Sequence, residues 1–297
     1  MRMEWVRNVI KQIIIIALAL LFVMNSALCE QGTWDCPECG RTGNTGNYCG
    51  NCRHPAPWIE NSQDNISKGS IGIGDIVCFG HYEQDNNLIN GTEEIEWIVL
   101  DISDDGVKAL LLSRFGLDVH PYNDTLKEVS WETCSLRDWL NSDFLKSSFT
   151  EEEQTAIFIT EVDNSSKQGY WNTNGGKNTS DRIFLLSYHE AKKYLEVTWE
   201  NDKNIHARVT PTAFAIAQGA RVRNSYKTSE NTAAAWWWLR SPGLNKSIAA
   251  DVSYDGSLKY CNVDNSYDKT DCAVDRPAIW LNLESDVFQT GSMIDKQ

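Results

Sequence analysis

The chain has 297 residues, 41% of them hydrophobic, and its 27 basic and 41 acidic side chains give a formal charge of −14. This composition suits a folded globule with a small accessory module and excludes a largely disordered chain. The acidity argues against nucleic acid or an anionic lipid surface as partner, since both are bound through Lys/Arg clusters that release counterions; its plain purpose is solubility.

Residues 1–29 read as a signal peptide. Arg2, Arg7 and Lys11 precede an unbroken apolar run from Ile13 to Met24, twelve residues in length, whereas a helix needs about 20 to span a bilayer. Small side chains at Ser26 and Ala27 place cleavage after Ala27 or Cys29, and Leu28 argues against lipoprotein processing at Cys29. The mature chain then keeps 24 basic and 40 acidic residues, or −16. Left uncleaved, the segment would be an anchor and the only membrane contact, with everything after residue 30 still outside. The expected location is extracellular or at the cell envelope.

Residues 30–54 hold two C-x-x-C elbows, Cys36/Cys39 and Cys49/Cys52, separated by nine residues. Each elbow aims two sulfurs at one point, and two elbows close the tetrahedral shell of a structural zinc ion. The residues between, Arg41 to Asn47, are turn chemistry without apolar periodicity, so order there must come from a metal. Two disulfides are the alternative for exported thiols. Four cysteine ligands leave no open position for catalysis. Residues 55–70, with Pro55, Pro57 and several Asn and Ser, form a linker.

Residues 71–290 read as one tryptophan-rich α+β domain. Strands are predicted over Asp75–Gly80 and Glu94–Leu100, the second joined through Ser103-Asp104-Asp105-Gly106 to another over Val107–Ser113. Ser130 caps a predicted helix with Trp131, Leu136, Trp139, Leu140 and Phe144 at helical spacing. Capping boxes at Thr150/Glu153 and Ser187/Glu190 start helices over Glu151 to Glu161 and His189 to Leu195. Tyr170–Ser180 is a loop, followed by a strand over Arg182–Leu186. Four strands close the chain: Ala235–Arg240, Ala249–Ser253, Gly256–Val263 and Ala273–Leu283, with a hairpin turn at Tyr254-Asp255-Gly256. Sequential antiparallel strands with helices to one side define α+β, not a doubly wound sheet.

Several phrases carry a resemblance. They are Phe79 to Asp85, Glu96 to Asp101, Trp131 to Asn141, Phe184 to Ser187, Trp237 to Gly243 and Val274 to Leu281. In order and spacing they resemble a bacterial family catalogued as a domain of unknown function, number 6273, over about residues 70–285. Members are frequently exported and attached to zinc ribbons, and the knuckle itself resembles such ribbons. The Trp-Trp-Leu-Arg-Ser and Val-Asp-Arg-Pro-Ala phrases also look like the late strands of C-type-lectin-like domains, shared by sugar binders and formylglycine-generating enzymes. The resemblance implies a fold and a compartment but no reaction.

Trp236, Trp238 and Arg240 share one face of a strand while Trp237 and Leu239 share the other. The first three would make a stacking and hydrogen-bonding platform for a ligand, with Arg276 as a clamp. Alternatively the rings fill a second core layer, with Arg240 paired to a buried carboxylate and Arg276 bridging strand carbonyls. The histidines His54, His81, His120, His189 and His206 are scattered and give no metal motif. Asp101, Asp104, Asp105, Asp251 and Asp255 sit at turns, where carboxylates cap amides. Cys261 and Cys272 either bridge the Asn262–Asp271 loop or remain thiols; the pair is too widely set for formylglycine-generating chemistry. Cys78 and Cys134 read as core thiols.

These features lead to an exported binding module, with a glycan or a surface protein as ligand, presenting the Tyr170–Ser180 and Asn262–Asp271 loops. An extracytoplasmic enzyme acting on cell-surface polymers is the alternative, marked by a perturbed acid beside a His or Arg. A scaffold without small ligand is the third.

Overall fold

The computed structural model describes residues 71–199, 204–264 and 272–291. The signal segment, the Cys36, Cys39, Cys49 and Cys52 knuckle, the linker and residues 265–271 lie outside the described residues. Three antiparallel strands open the domain: β1 (Ile76–Tyr82), β2 (Glu93–Ile102) and β3 (Lys108–Ser113). The Asp-Gly turn forms as its chemistry dictates, with Gly106 N donating to Ser103 O and Asp105 Oδ1 accepting from Val107 N at 3.1 Å. β1 bulges between Cys78 and His81, where Gly80 has φ +72°. A Cβ at Gly80 would fall 2.3 Å from the Phe149 ring, so the bend and the close packing both require glycine.

The helix expected from Ser130 is divided. Trp131–Thr133 forms a 3-10 turn, Cys134 is extended, and helicity resumes in α1 (Ser135–Trp139), a π turn at Leu140–Phe144 and α2 (Leu145–Ser148). Trp131, on the near side of the break, is fully buried and donates its indole N–H to Asp181 Oδ2 at 2.8 Å. The capping box at Thr150 starts α3 (Glu151–Ala156), five residues shorter than the expected helix. Ile157 turns extended to bridge Leu281, and Phe158 N donates to Trp280 O at 2.8 Å. Tertiary pairing thus overrides helix propensity, and residues 160–162 become β4 (Thr160–Val162), paired with β5 (Thr179–Asp181) at the end of the predicted loop.

β6 (Ile183–Phe184) leads into α4 (Tyr188–Leu195), whose capping box forms with Glu190 N on Ser187 Oγ at 3.1 Å and Ser187 N on Glu190 Oε2 at 2.8 Å. α5 (Ala213–Ala217) and the hairpin of β7 (Val222–Lys227) and β8 (Ala233–Ala235) carry no sequence expectation: one strand is polar and exposed, the other is alanine. β9 (Trp237–Pro242), β10 (Ile248–Val252), β11 (Leu258–Asn262), β12 (Ala278–Asn282) and α6 (Asp286–Gly291) complete the chain.

The main sheet has the order β1-β2-β3-β12-β6 and a second sheet the order β11-β10-β9, all pairs antiparallel. With short helices packed on one core, this is an α+β domain. No helix among the described residues is long and apolar enough to cross a membrane. Cys134 is a fully buried thiol, which burial pushes up to about 12. Cys78 departs from the core-thiol expectation: it is disulfide-bonded. No disulfide joins Cys261 to Cys272.

Arg240 fastens β9 to α4. Its buried guanidinium donates to Leu185 O at 2.8 Å, to Glu190 Oε1 at 2.9 Å and to Asp163 O at 3.2 Å. Burial pushes the Glu190 carboxyl up, but Arg240 and the Ser187 amide more than offset it and hold it below its ordinary value. Replacing Arg240 by Met leaves that carboxylate without its cation, and a loss of about 3 kcal/mol is expected. Urea unfolding of Arg240→Met checks this; a midpoint equal to the parent's would refute the pairing as a stabilising contact.

Candidate functional site

The four residues expected to meet a ligand are interior. Trp238 is fully enclosed, Trp236, Arg240 and Arg276 are buried, and every position of β9 is covered on both faces. Trp236 lies edge-on to Trp238 with centroids 5.1 Å apart, and the Trp238 N–H donates to His120 O at 3.1 Å. Arg276 Nε donates to Ser113 O at 3.0 Å and its guanidinium lies 4.9 Å from the Trp237 ring. Rings packed on both faces have no face left for a ligand, so the surface platform on Trp236, Trp238, Arg240 and Arg276 does not form in this state. The alternating faces of the strand are both core.

Two arrangements that the sequence did not single out lie nearer to solvent. The first is a cluster of rings. Tyr170 is 47% exposed, Trp199 37% and Tyr260 39%, and Trp171 is half-buried among them. Tyr170 and Trp199 stack at 6.0 Å and 14°, and Trp199 and Tyr260 at 6.1 Å and 17°. Trp171 meets each of the three edge-to-face at 5.2 to 5.7 Å. Tyr170 also abuts Tyr188 at the start of α4, and Lys259 Nζ lies 4.8 Å from the Trp199 ring. Thr173 Oγ1 donates to Gly243 O at 2.7 Å, tying the loop that carries Tyr170 and Trp171 to the end of β9. The rings come from three separate stretches of chain. Only Tyr170 and Trp171, at the start of the predicted Tyr170–Ser180 loop, fell in a segment already expected to face a ligand.

The second is a titrating network around Asp275. Its carboxylate is fully buried, and Oδ2 lies 2.7 Å from His120 Nδ1. Asp118 pairs with Asp275 through the backbone, Asp275 N donating to Asp118 O at 2.8 Å, and the Asp118 carboxylate accepts the Tyr82 hydroxyl. The His120 ring lies against Trp139 with centroids 3.8 Å apart, and its side chain is 31% exposed. Burial pushes Asp275 up to about 6, with His120 opposing that shift. For His120, burial acts downward, but the hydrogen bond and charge of Asp275 overcome it and raise the imidazole above its ordinary value. Burial first, then Asp118, also raises the Tyr82 hydroxyl.

Glu83, Asp85 and Glu93 bring carboxylate oxygens within 4.8 Å of one another. These oxygens are engaged by the loop's own amides, with Gln84 N on Glu93 Oε2 at 2.7 Å and Asn87 N on Glu83 Oε1 at 2.9 Å, so the cluster is a turn device. Burial pushes Glu93 up to about 7. Asp105 and Asp255 likewise cap turn amides, as their positions suggested.

The geometry defines an antiparallel α+β domain with a buried tryptophan strand and an exposed ring cluster. The chain belongs to the family described as Domain of unknown function (DUF6273), whose model matches residues 106–283. No curated protein and no solved structure matches the chain.

A raised folded-state imidazole pKa means that the His120 pair stabilises the fold near pH 6.5, above the value of about 6 to which burial pushes Asp275, and that this contribution is lost as pH rises through the raised imidazole value. The stability difference between the parent and His120→Gln should therefore be larger at pH 6.5 than at pH 8.5. Thermal unfolding followed by circular dichroism at both pH values measures it, and a pH-independent difference contradicts the pairing.

Proposed function

We propose that this protein is an exported recognition module that holds an uncharged glycan against the rings of Tyr170, Trp171, Trp199 and Tyr260. The observation that carries the proposal is a cluster of four packed aromatic side chains, three of them exposed and Trp171 half-buried among them, on a chain of net acidic charge. Exposed aromatic clusters of this kind mark binding sites, and rings locked by their neighbours give contact area at little entropic cost. With a formal charge of −14, the chain repels anionic polymers, and Lys259 is the cation at the cluster. An uncharged sugar presents C–H faces to the rings and hydroxyls to their polar fringe.

Export is supported by the basic start and twelve-residue apolar run of the N-terminus, and by the disulfide at Cys78, since such bonds persist in oxidising compartments. A C-type-lectin-like topology draws support from the neighbouring positions of the two phrases that suggested it: Trp237 and Val274 form a parallel bridge. A structural zinc held by Cys36, Cys39, Cys49 and Cys52 rests on the spacing of their two elbows.

Titration with neutral oligosaccharides from a glycan array, followed by tryptophan fluorescence, should yield a ligand whose affinity falls tenfold or more in Trp199→Ala and Tyr260→Ala, a change of about 1.4 kcal/mol. Folded variants that bind like the parent, or capture of a surface protein with no glycan bound, would remove the glycan reading. For the knuckle, denaturation in chelator-free buffer should release one zinc per chain; two disulfides by mass spectrometry without metal would replace it.

A further inference from the structure

A second arrangement, unlike the ring cluster in its chemistry, centres on His120. His120 is held by three anchors: its Nδ1 by Asp275 at 2.7 Å, its ring face by Trp139 at 3.8 Å, and its backbone carbonyl by the Trp238 indole at 3.1 Å. A carboxylate at Nδ1 keeps the proton on that nitrogen and leaves the lone pair on Nε2, in a side chain that is 31% exposed. A histidine serving only the core has both nitrogens bonded inside. Here the carboxylate is the enclosed member and the imidazole the outer one, an order that suits proton transfer to a solute. Asp275 gives Oδ2 to the ring and leaves Oδ1 enclosed without a hydrogen bond among the described residues. Its negative charge is thereby available to stabilise an imidazolium.

We infer that His120, positioned by Asp275, is a general base that activates water for the hydrolysis of uncharged carboxylic esters. The charges that act most strongly on His120 are those of Asp275, Asp118 and Asp124, all acidic, and Tyr82 bears on Asp275 from β1. That surrounding disfavours phosphate and sulfate esters and carboxylate-bearing substrates, and leaves neutral acyl esters such as O-acylated sugars. In the step, Nε2 takes a proton from water as its oxygen bonds to the ester carbonyl carbon. The tetrahedral species then breaks its bond to the alkoxy oxygen, which takes the proton from Nε2. An acid and an alcohol leave, the imidazole is neutral again, and no oxidant or metal takes part.

The test uses the full chain and p-nitrophenyl acetate. The parent should exceed free imidazole at equal concentration, and His120→Gln should lose at least a hundredfold in kcat/KM, the usual span of general-base contributions. The rate should rise with pH through a midpoint above 6.5, since the neutral imidazole is the active form, and that midpoint should move down in Asp275→Asn. Far-UV circular dichroism establishes that each variant is folded; should Asp275→Asn unfold, the loss in His120→Gln and the parent's pH profile decide. A parent no faster than free imidazole, or a folded His120→Gln within threefold of the parent, overturns the inference. Neither outcome bears on glycan binding at Trp199 and Tyr260.

Discussion

Four indoles with no exposed surface, Trp97, Trp131, Trp237 and Trp238, set the terms for the rest of this domain. Each contributes on the order of 5 kcal/mol through burial of about 200 Å², but only if its single N–H finds an acceptor. Every one of them does, and on a distant segment: Phe79 O, Asp181 Oδ2, Ala207 O and His120 O, at 2.8 to 3.1 Å. The bonds link residues 18 to 118 positions apart and so fix how sheets, helices and loops meet. Tyr122 does the same with its hydroxyl on Arg240 O at 2.7 Å.

The same constraint carries through to the outer residues. Because Trp238 holds the backbone of His120, the imidazole is aimed by the core and not by its own loop. Because Arg240 is spent on Glu190 and on two carbonyls, it braces the start of α4, against which Tyr170 packs through Tyr188. A cationic, aromatic strand that looks made for a ligand in sequence is instead the frame for two surfaces beyond it.

Legibility followed the range of the interactions. The Asp-Gly hairpin and the capping boxes at Thr150 and Ser187 could be read directly, since each is complete within four or five residues. Lengths were less legible: α3 stops at Ala156 because Ile157 and Phe158 pair with β12, more than a hundred residues later. The hairpin of β7 and β8 escaped notice because neither strand alternates. The candidate sites were the least legible. His120 and Asp275 are 155 positions apart, and Tyr170, Trp199 and Tyr260 belong to separate loops and strands, so no spacing rule joins them.

Local chemistry along the chain was enough to determine an α+β class, a strand-rich C-terminal third, the helix starts, and the net acidity. Those properties depend on side-chain alternation, capping and net charge, each of which acts over a few residues or over the whole composition. Which tryptophans face inward, and which aromatic rings remain in reach of solvent, was decided by tertiary packing alone. A strand has two faces, and only the layers laid against it determine whether one, both or neither is covered; for β9 both are.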